Sequence, residues 1–223
     1  MRVLLLTYYY PPDKAVGGQR ARKVADALRS AGHSVTVIAA GDAASDDESH
    51  HRVRPFISIR QLHARLKRRY ASRTSPAGPA IETPTNEKPH RPRDVARWKR
   101  WIFSLIWLPD DKQGFILPAV RKPLGLPGGR PDLVYTTAPP FSVHLAGLIL
   151  RALTGARWVA EFRDPWTTNP LKPDELRSAF SDWLERKLEW LCLETADLLI
   201  PVSDGIAGRL AETGTGTPLT IVR

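Results

Sequence analysis

One cysteine, Cys192, stands among the 223 residues. No intrachain disulfide can form, and such a chain suits a reducing cytoplasm. No apolar run approaches the ~20 residues that span a bilayer as a helix. The first one, Val3-Leu4-Leu5-Leu6, gives way at once to tyrosines and prolines, so no signal peptide is expected. A GxGxxG pattern is missing, which argues against a dinucleotide site. Acids are scarce in one region only. Between Arg52 and Ile102 there are 14 lysines and arginines against three acids, Glu82, Glu87 and Asp94; the rest of the chain carries 19 basic and 20 acidic residues. The net charge of +10 and the pI of about 10.1 therefore belong to a segment and not to the domain. That argues against a nucleic-acid-binding fold as such. It points to a basic insertion able to meet an anionic surface.

What is present is a hydrophobic content of 42%, enough for a real core, and an alternation of strand-like and helix-like stretches. Val3–Tyr8 reads as a buried strand, Gln19–Ala31 as an amphipathic helix stopped by Gly32, and His33–Ala39 as a second strand. A βαβ unit thus fills the first forty residues. Residues 42–122 interrupt the pattern. They hold a candidate strand at Val53–Ile59, a basic helix near Gln61–Arg73, and a loop at about 72–93 rich in Pro, Thr and charge, expected to be flexible. A helix over Val95–Leu108 and a short one over Gln113–Lys122 follow. Alternation resumes with strands at DLVYTTA, RWVAEF (157–162) and DLLIPVS (197–203), helices at Ser142–Leu153, Asp174–Thr195 and Asp204–Glu212, and the start of a strand at PLTIVR. This pattern predicts a doubly wound α/β fold on a parallel sheet.

Ligands of such sheets sit beyond the C-terminal ends of the strands. After the first strand come Pro11, Pro12, Gly17, Gly18 and Arg20. A glycine pair before a helix lets backbone N–H groups approach an anion, and Arg20 adds a fork of donors; a tight turn without a ligand fits the spacing equally well. After the Val134 strand, His144 falls in the first turn of a helix. It is placed there either to exchange a proton with a substrate or simply to pack. After the Val159 strand, EFRDPW brings Glu161, Arg163, Asp164 and Trp166 together. Asp164 is a candidate to orient a sugar hydroxyl and Trp166 to stack on a sugar face, against the plainer reading of an Arg163–Asp164 pair that holds the loop. Ser203 reads first as a helix N-cap.

Taken together, LLLTYYYPPDKAVGGQRARKVADALRSAGHSVTVI, DLVYTTAPPFSVHLAGLILRALTGARWVAEFRDPW and ADLLIPVSDGIAGRL…IVR resemble the N-terminal half of family-4 glycosyltransferases. These are retaining, nucleotide-sugar-dependent enzymes of GT-B fold, and the matching stretches cover about two-thirds of the chain. FRDPW after a WVA strand is similar to the subset that builds bacterial surface polysaccharides. The resemblance implies a Rossmann-like domain with a basic helical insertion, and a Gly17-Gly18 loop near the donor diphosphate and the acceptor. It implies that Glu161, Arg163, Asp164 and Trp166 line the acceptor side of the cleft. It also implies a nucleotide-sugar donor, a glycan or lipid-linked acceptor, no metal and no further cofactor. Many relatives carry a histidine near the place where Arg163-Asp164 stands here. The family's second, donor-binding domain would begin where these residues stop. The chain is thus expected to act with that domain in cis or as a separate subunit, and to be inactive alone. The alternative is a stand-alone module that binds a glycan or lipid headgroup without catalysis.

In Val95–Leu108, Val95, Trp98, Ile102, Leu105 and Ile106 share one helical face beside Arg97, Lys99 and Arg100, with Trp101 and Trp107 near its edge. Such a face suits either the domain core or an anionic membrane surface. The corresponding expectation for location is the cytoplasm, on the inner face of the membrane.

Overall fold

A computed structural model describes residues 1–13, 15–42, 49–56, 108–167 and 178–221. The expected helices near Gln61–Arg73 and Val95–Leu108, the loop at 72–93, and Arg97, Trp98, Lys99, Arg100 and Trp101 lie outside the described residues.

Among the described residues six strands form one all-parallel sheet: β1 (Arg2–Leu6), β2 (Ser34–Ala40), β3 (His50–Val53), β4 (Leu133–Ala138), β5 (Arg157–Phe162) and β6 (Leu198–Pro201), in the order β3-β2-β1-β4-β5-β6. The strands are short and apolar on both sides, as parallel strands covered by helices must be. Side chains alternate between two clusters. Leu4, Leu6, Ile38, Val134, Trp158, Ala160 and Phe162 face one core; Val3, Leu5, Val37, Tyr135, Val159 and Ile200 face the other. The second core is covered by α1 (Val16–Ser30) through Ala21 and Ala25. The first is covered by α2 (Ile116–Leu124), α3 (Ser142–Thr154), α4 (Ala179–Thr195) and α5 (Asp204–Glu212). Strand β3 and most of helix α2 fall within residues 42–122, and both belong to the sheet and its helical cover.

Helix α3 comes closest to the sheet. A Cβ on Gly147 would lie 2.5 Å from Thr136 Cγ2 and 2.8 Å from Trp158 Nε1, so only glycine admits this approach. Phe141, the residue before α3, offers no side-chain cap. Asp110 supplies one from outside the helix: its carboxylate accepts from Ser142 N (2.8 Å) and Ser142 Oγ (2.6 Å), and also from Lys112 N (2.8 Å). Burial pushes the Asp110 carboxyl up, and these donors pull it back. Ser203 caps α5 by accepting from Ile206 N at 3.3 Å.

Two glycines should respond in opposite directions. Gly147→Ala is expected to destabilise by about 1–3 kcal/mol through overpacking. Gly208→Ala, inside α5 with open space around it, should stabilise by about 0.5–1 kcal/mol. Urea unfolding of the two variants beside the wild type checks both signs.

Candidate functional site

The strand order reverses between β1 and β4, so the cleft of a doubly wound sheet opens there, above the strand ends. Both exits run through proline pairs. Tyr10-Pro11-Pro12 follows β1, and Ala138-Pro139-Pro140 follows β4. The prolines have no N–H, and guanidinium groups from neighbouring strands take the nearby carbonyls. Arg52, on β3 and buried, donates to Tyr10 O (3.0 Å), Pro11 O (2.8 Å) and Ala40 O (3.1 Å). A Cβ on Gly41 would lie 2.6 Å from Arg52 Nη1, and its φ of +149° also favours glycine. Arg163, just past β5, donates from Nε to Ala138 O (3.2 Å) and from Nη2 to Pro139 O (2.6 Å).

Gly17 and Gly18 stand inside the first turn of α1, which starts at Val16 and not at Gln19. Each clears a specific neighbour. A Cβ on Gly17 would lie 2.4 Å from Arg163 Nη1, and one on Gly18 3.3 Å from the Tyr10 backbone N and Cα. The Arg163 guanidinium therefore lies against an α1 N-terminus that carries no side-chain cap and no acid in its first turn, the positive end of the helix. Burial lowers the Arg163 pKa, while Glu161 and Asp164 raise it.

Strand periodicity sends Glu161 to the α1 side of the sheet and Phe162 to the α3 side. Glu161 is fully buried and pairs with Arg20 Nε at 2.6 Å. Its Oε2 has no hydrogen-bond partner among the described residues. Burial, reinforced by the Glu161 charge, pushes the neighbouring Tyr135 phenol far up. On the α3 side His144 is fully buried against Phe162, with ring centroids 4.4 Å apart. Thr136 Oγ1 accepts from Trp158 Nε1 (2.9 Å) and lies 2.8 Å from His144 Nδ1. Burial, helped by Arg163, lowers the His144 pKa to about 3, so the ring is neutral. Trp166 is also buried and stacks on Phe141 at 4.8 Å and 7°; its face is taken by protein. Asp164 alone of this group is exposed.

The structure thus brings Gly17, Gly18, Arg20, Glu161, Arg163 and Asp164 to one strand-end region. It sets His144 and Trp166 beneath them, in the core. Arg52 and Asp110 were not singled out from the sequence. Arg52 sits among basic residues read as an insertion, and Asp110 caps a helix whose start lies 32 positions further on. Neither carries a local signal. Among the described residues no group of three or more His, Cys, Asp or Glu side chains is arranged to hold a metal. A cavity of about 450 Å³ opens at the other ends of the strands, lined by Arg2, Leu4, Thr36, His51, Pro123 and Gly128 among others. It lies away from the glycine pair.

His144 makes stability pH-dependent. Its unfolded pKa is near 6.5 and its folded one about 3, so between those values the unfolded chain binds more protons. The contribution is complete above pH 6.5 and is lost progressively as the pH falls toward 3. His144→Gln should flatten that limb of the unfolding profile. In NMR, the His144 imidazole should stay neutral down to pH ~4; titration of the folded protein near 6.5 would contradict its placement.

No curated protein sequence matches the chain. Among solved structures, sucrose-phosphate synthase from Thermosynechococcus elongatus is similar, with a TM-score of 0.58 and 14% identity over 99% of this chain. A second structure of sucrose-phosphate synthase from the same organism gives 0.50 and 13%, again over 99% of this chain. This chain covers 47% of the first and 87% of the second. At such identities the likeness establishes the fold: a Rossmann-like half of GT-B type. The model of the glycosyl transferase 4-like domain matches residues 17–222, from the glycine pair through the last described strand region, and the chain belongs to that family.

Proposed function

We propose that this domain is the acceptor-side half of a glycosyltransferase that moves a hexosyl group from a nucleotide-sugar donor to a glycan or lipid-linked acceptor in surface polysaccharide synthesis. It would work in the cytoplasm, at the inner face of the membrane. One observation carries the reading: the Arg163 guanidinium lies against Gly17 in the uncapped first turn of α1, at the reversal of strand order. Two sources of positive potential converge there, beside exposed Asp164 and the Arg20-paired Glu161, where a sugar diphosphate would leave charge to be stabilised.

In this reading Arg163 and the first turn of α1 face the donor phosphates, and exposed Asp164 meets an acceptor hydroxyl. Arg20 and Glu161 fix the wall beneath them. His144 and Trp166 hold the Phe162–Arg163–Asp164 turn from below. The fixed positive charge supplies what a metal would otherwise provide, so transfer is expected to survive chelation. A donor domain in cis or as a separate subunit completes the cleft, in line with the 47% share of the synthase structure that this chain spans. The 223-residue chain alone is expected to give negligible transfer, since positioning of the donor supplies much of the rate.

The test uses the protein as its native cell makes it, assayed with radiolabelled nucleotide sugars and membrane extract as acceptor. Arg163→Ala should lower kcat/KM by about 100-fold. Gly17→Ala should do much the same by displacing the guanidinium, and because the displaced group gives up its bonds to Ala138 O and Pro139 O, the variant's thermal stability should fall about as far as that of Arg163→Ala. The double variant should be no worse than either single one, as expected of residues acting as a unit. Full transfer by Arg163→Ala, or robust turnover by the 223-residue chain alone, would overturn the reading. Binding of glycan or lipid headgroup with no transfer from any donor would assign the domain to non-catalytic recognition.

A further inference from the structure

Helix α4 has two unlike faces, and the outward one is the more aromatic. Its inward side carries Ser181, Glu185, Glu189, Cys192 and Leu193, all buried. Its outward side carries Phe180, Trp183, Lys187 and Trp190, with Leu191 at the edge. At about 100° per residue the outward stripe is centred roughly opposite the buried one. It is therefore not the margin of the core contact. Phe180 is 42% exposed, Trp183 48%, Trp190 49% and Leu191 41%. The Phe180 and Trp183 rings stack at 5.7 Å, and Lys187 Nζ lies 5.4 Å from the centre of the Trp190 ring.

Leu117 and Leu124 on α2 and Ile149 and Leu153 on α3 are also exposed, and all three helices cover the same face of the sheet. On the opposite face α1 shows water Gln19, Arg22, Lys23 and Asp26, with Val16 exposed at its first position. An apolar surface concentrated on one side of a domain marks a contact.

Charge and shape select the partner. Arg186 and Lys187 are exposed on α4, and Arg121 on α2. One exposed acid, Glu194, stands at the C-terminal end of the stripe and accepts from Gly216 N at 3.3 Å. The patch is a ridge of indole, phenyl and aliphatic groups edged by cations. A soft, negatively charged surface accepts a ridge without a complementary groove. No helix among the described residues is long and apolar enough to cross a membrane, so the contact is one of lying on the surface.

We propose that the outward stripe of α4 seats this domain on an anionic lipid bilayer. Trp183 and Trp190 enter the boundary between headgroups and acyl chains, and Arg186 and Lys187 meet lipid phosphates. The inference rests on the membrane location in the proposed function and names the surface that serves it; the two fail separately, since transfer to a soluble acceptor can persist when seating is lost, and seating can persist in a chain that transfers nothing.

The experiment is sedimentation of the 223-residue chain with vesicles of phosphatidylcholine, with and without phosphatidylglycerol. Binding should require the anionic lipid and weaken with salt. Trp183→Ser/Trp190→Ser should reduce partitioning by about tenfold or more, and Arg186→Glu/Lys187→Glu should reduce the preference for anionic vesicles; these exposed positions leave the fold intact by circular dichroism. A second readout uses Trp183→Cys labelled with bimane. Cys192 is buried and stays unlabelled, and bimane emission should shift to the blue when anionic vesicles are added. Three results would overturn the proposal. Partitioning unchanged by the tryptophan pair would place any contact elsewhere. A bimane spectrum already apolar without lipid would mean that this chain covers the stripe itself. A lipid-free dimer abolished by the same pair would assign the stripe to a second copy of the chain.

Discussion

The cleft end of this domain depends on two arginines that answer the same deficit. Proline pairs at the exits of β1 and β4 turn the chain sharply but contribute no N–H; Asp13 N donates to Tyr10 O and Arg163 N to Ala138 O, and arginine side chains complete the set at Tyr10, Pro11, Ala138 and Pro139. Arg52 and Arg163 reach across from β3 and β5 and supply several donors each from a planar, permanently charged group. A lysine in either place would offer a point charge on a flexible stem instead of a fork. Each arginine also sets a limit beside it: Gly41 leaves room for Arg52, and Gly17 leaves room for Arg163. The glycines and arginines form matched pairs, and the loops between them take their shape from both.

This arrangement separates the strand-end residues into two levels. Glu161, His144 and Trp166 are each anchored by protein, through a salt bridge with Arg20, a contact with Thr136 and a stack on Phe141, while Glu161 Oε2, His144 Nε2 and Trp166 Nε1 have no hydrogen-bond partner among the described residues. Arg163 and Asp164 remain at the rim. A lower level of fixed, buried groups beneath a rim of reachable ones is how a rigid scaffold keeps loop residues in register for a ligand.

The sheet was legible in the sequence where apolar runs were uninterrupted. RWVAEF is β5 end to end, and Asp204–Glu212 is α5 with Ser203 as its cap. Four places read differently, each for a physical reason. The glycine pair looked like a loop before a helix because glycine is a poor helix former; in the fold it occupies the first turn, where close packing requires it. The third strand was expected at Val53–Ile59 but runs from His50 to Val53. His-His-Arg has no strand-like pattern of its own, and pairing with β2 determines it. The burial of His144 and Trp166 depends on which side of a turn each ring takes, a matter of tertiary packing that no local spacing encodes. The long helix expected from Asp174 is seen from Ala179, where Ser178 and Ser181 form a reciprocal capping box.

Parallel sheets carry a hazard at their margins, where unpaired backbone invites a strand from another molecule. Here neither margin is inviting. Beside β6, residues near Leu219 lie parallel and close the outer side: Leu199 N donates to Pro218 O and Thr220 N to Leu199 O, both at 3.0 Å. On the other side the outermost strand among the described residues, β3, is four residues long and carries two histidines and an arginine, a poor template for addition. A domain with an apolar patch on its helical side therefore has little tendency to polymerise through its sheet. Its self-association, where it occurs, is directed to side chains and not to backbone.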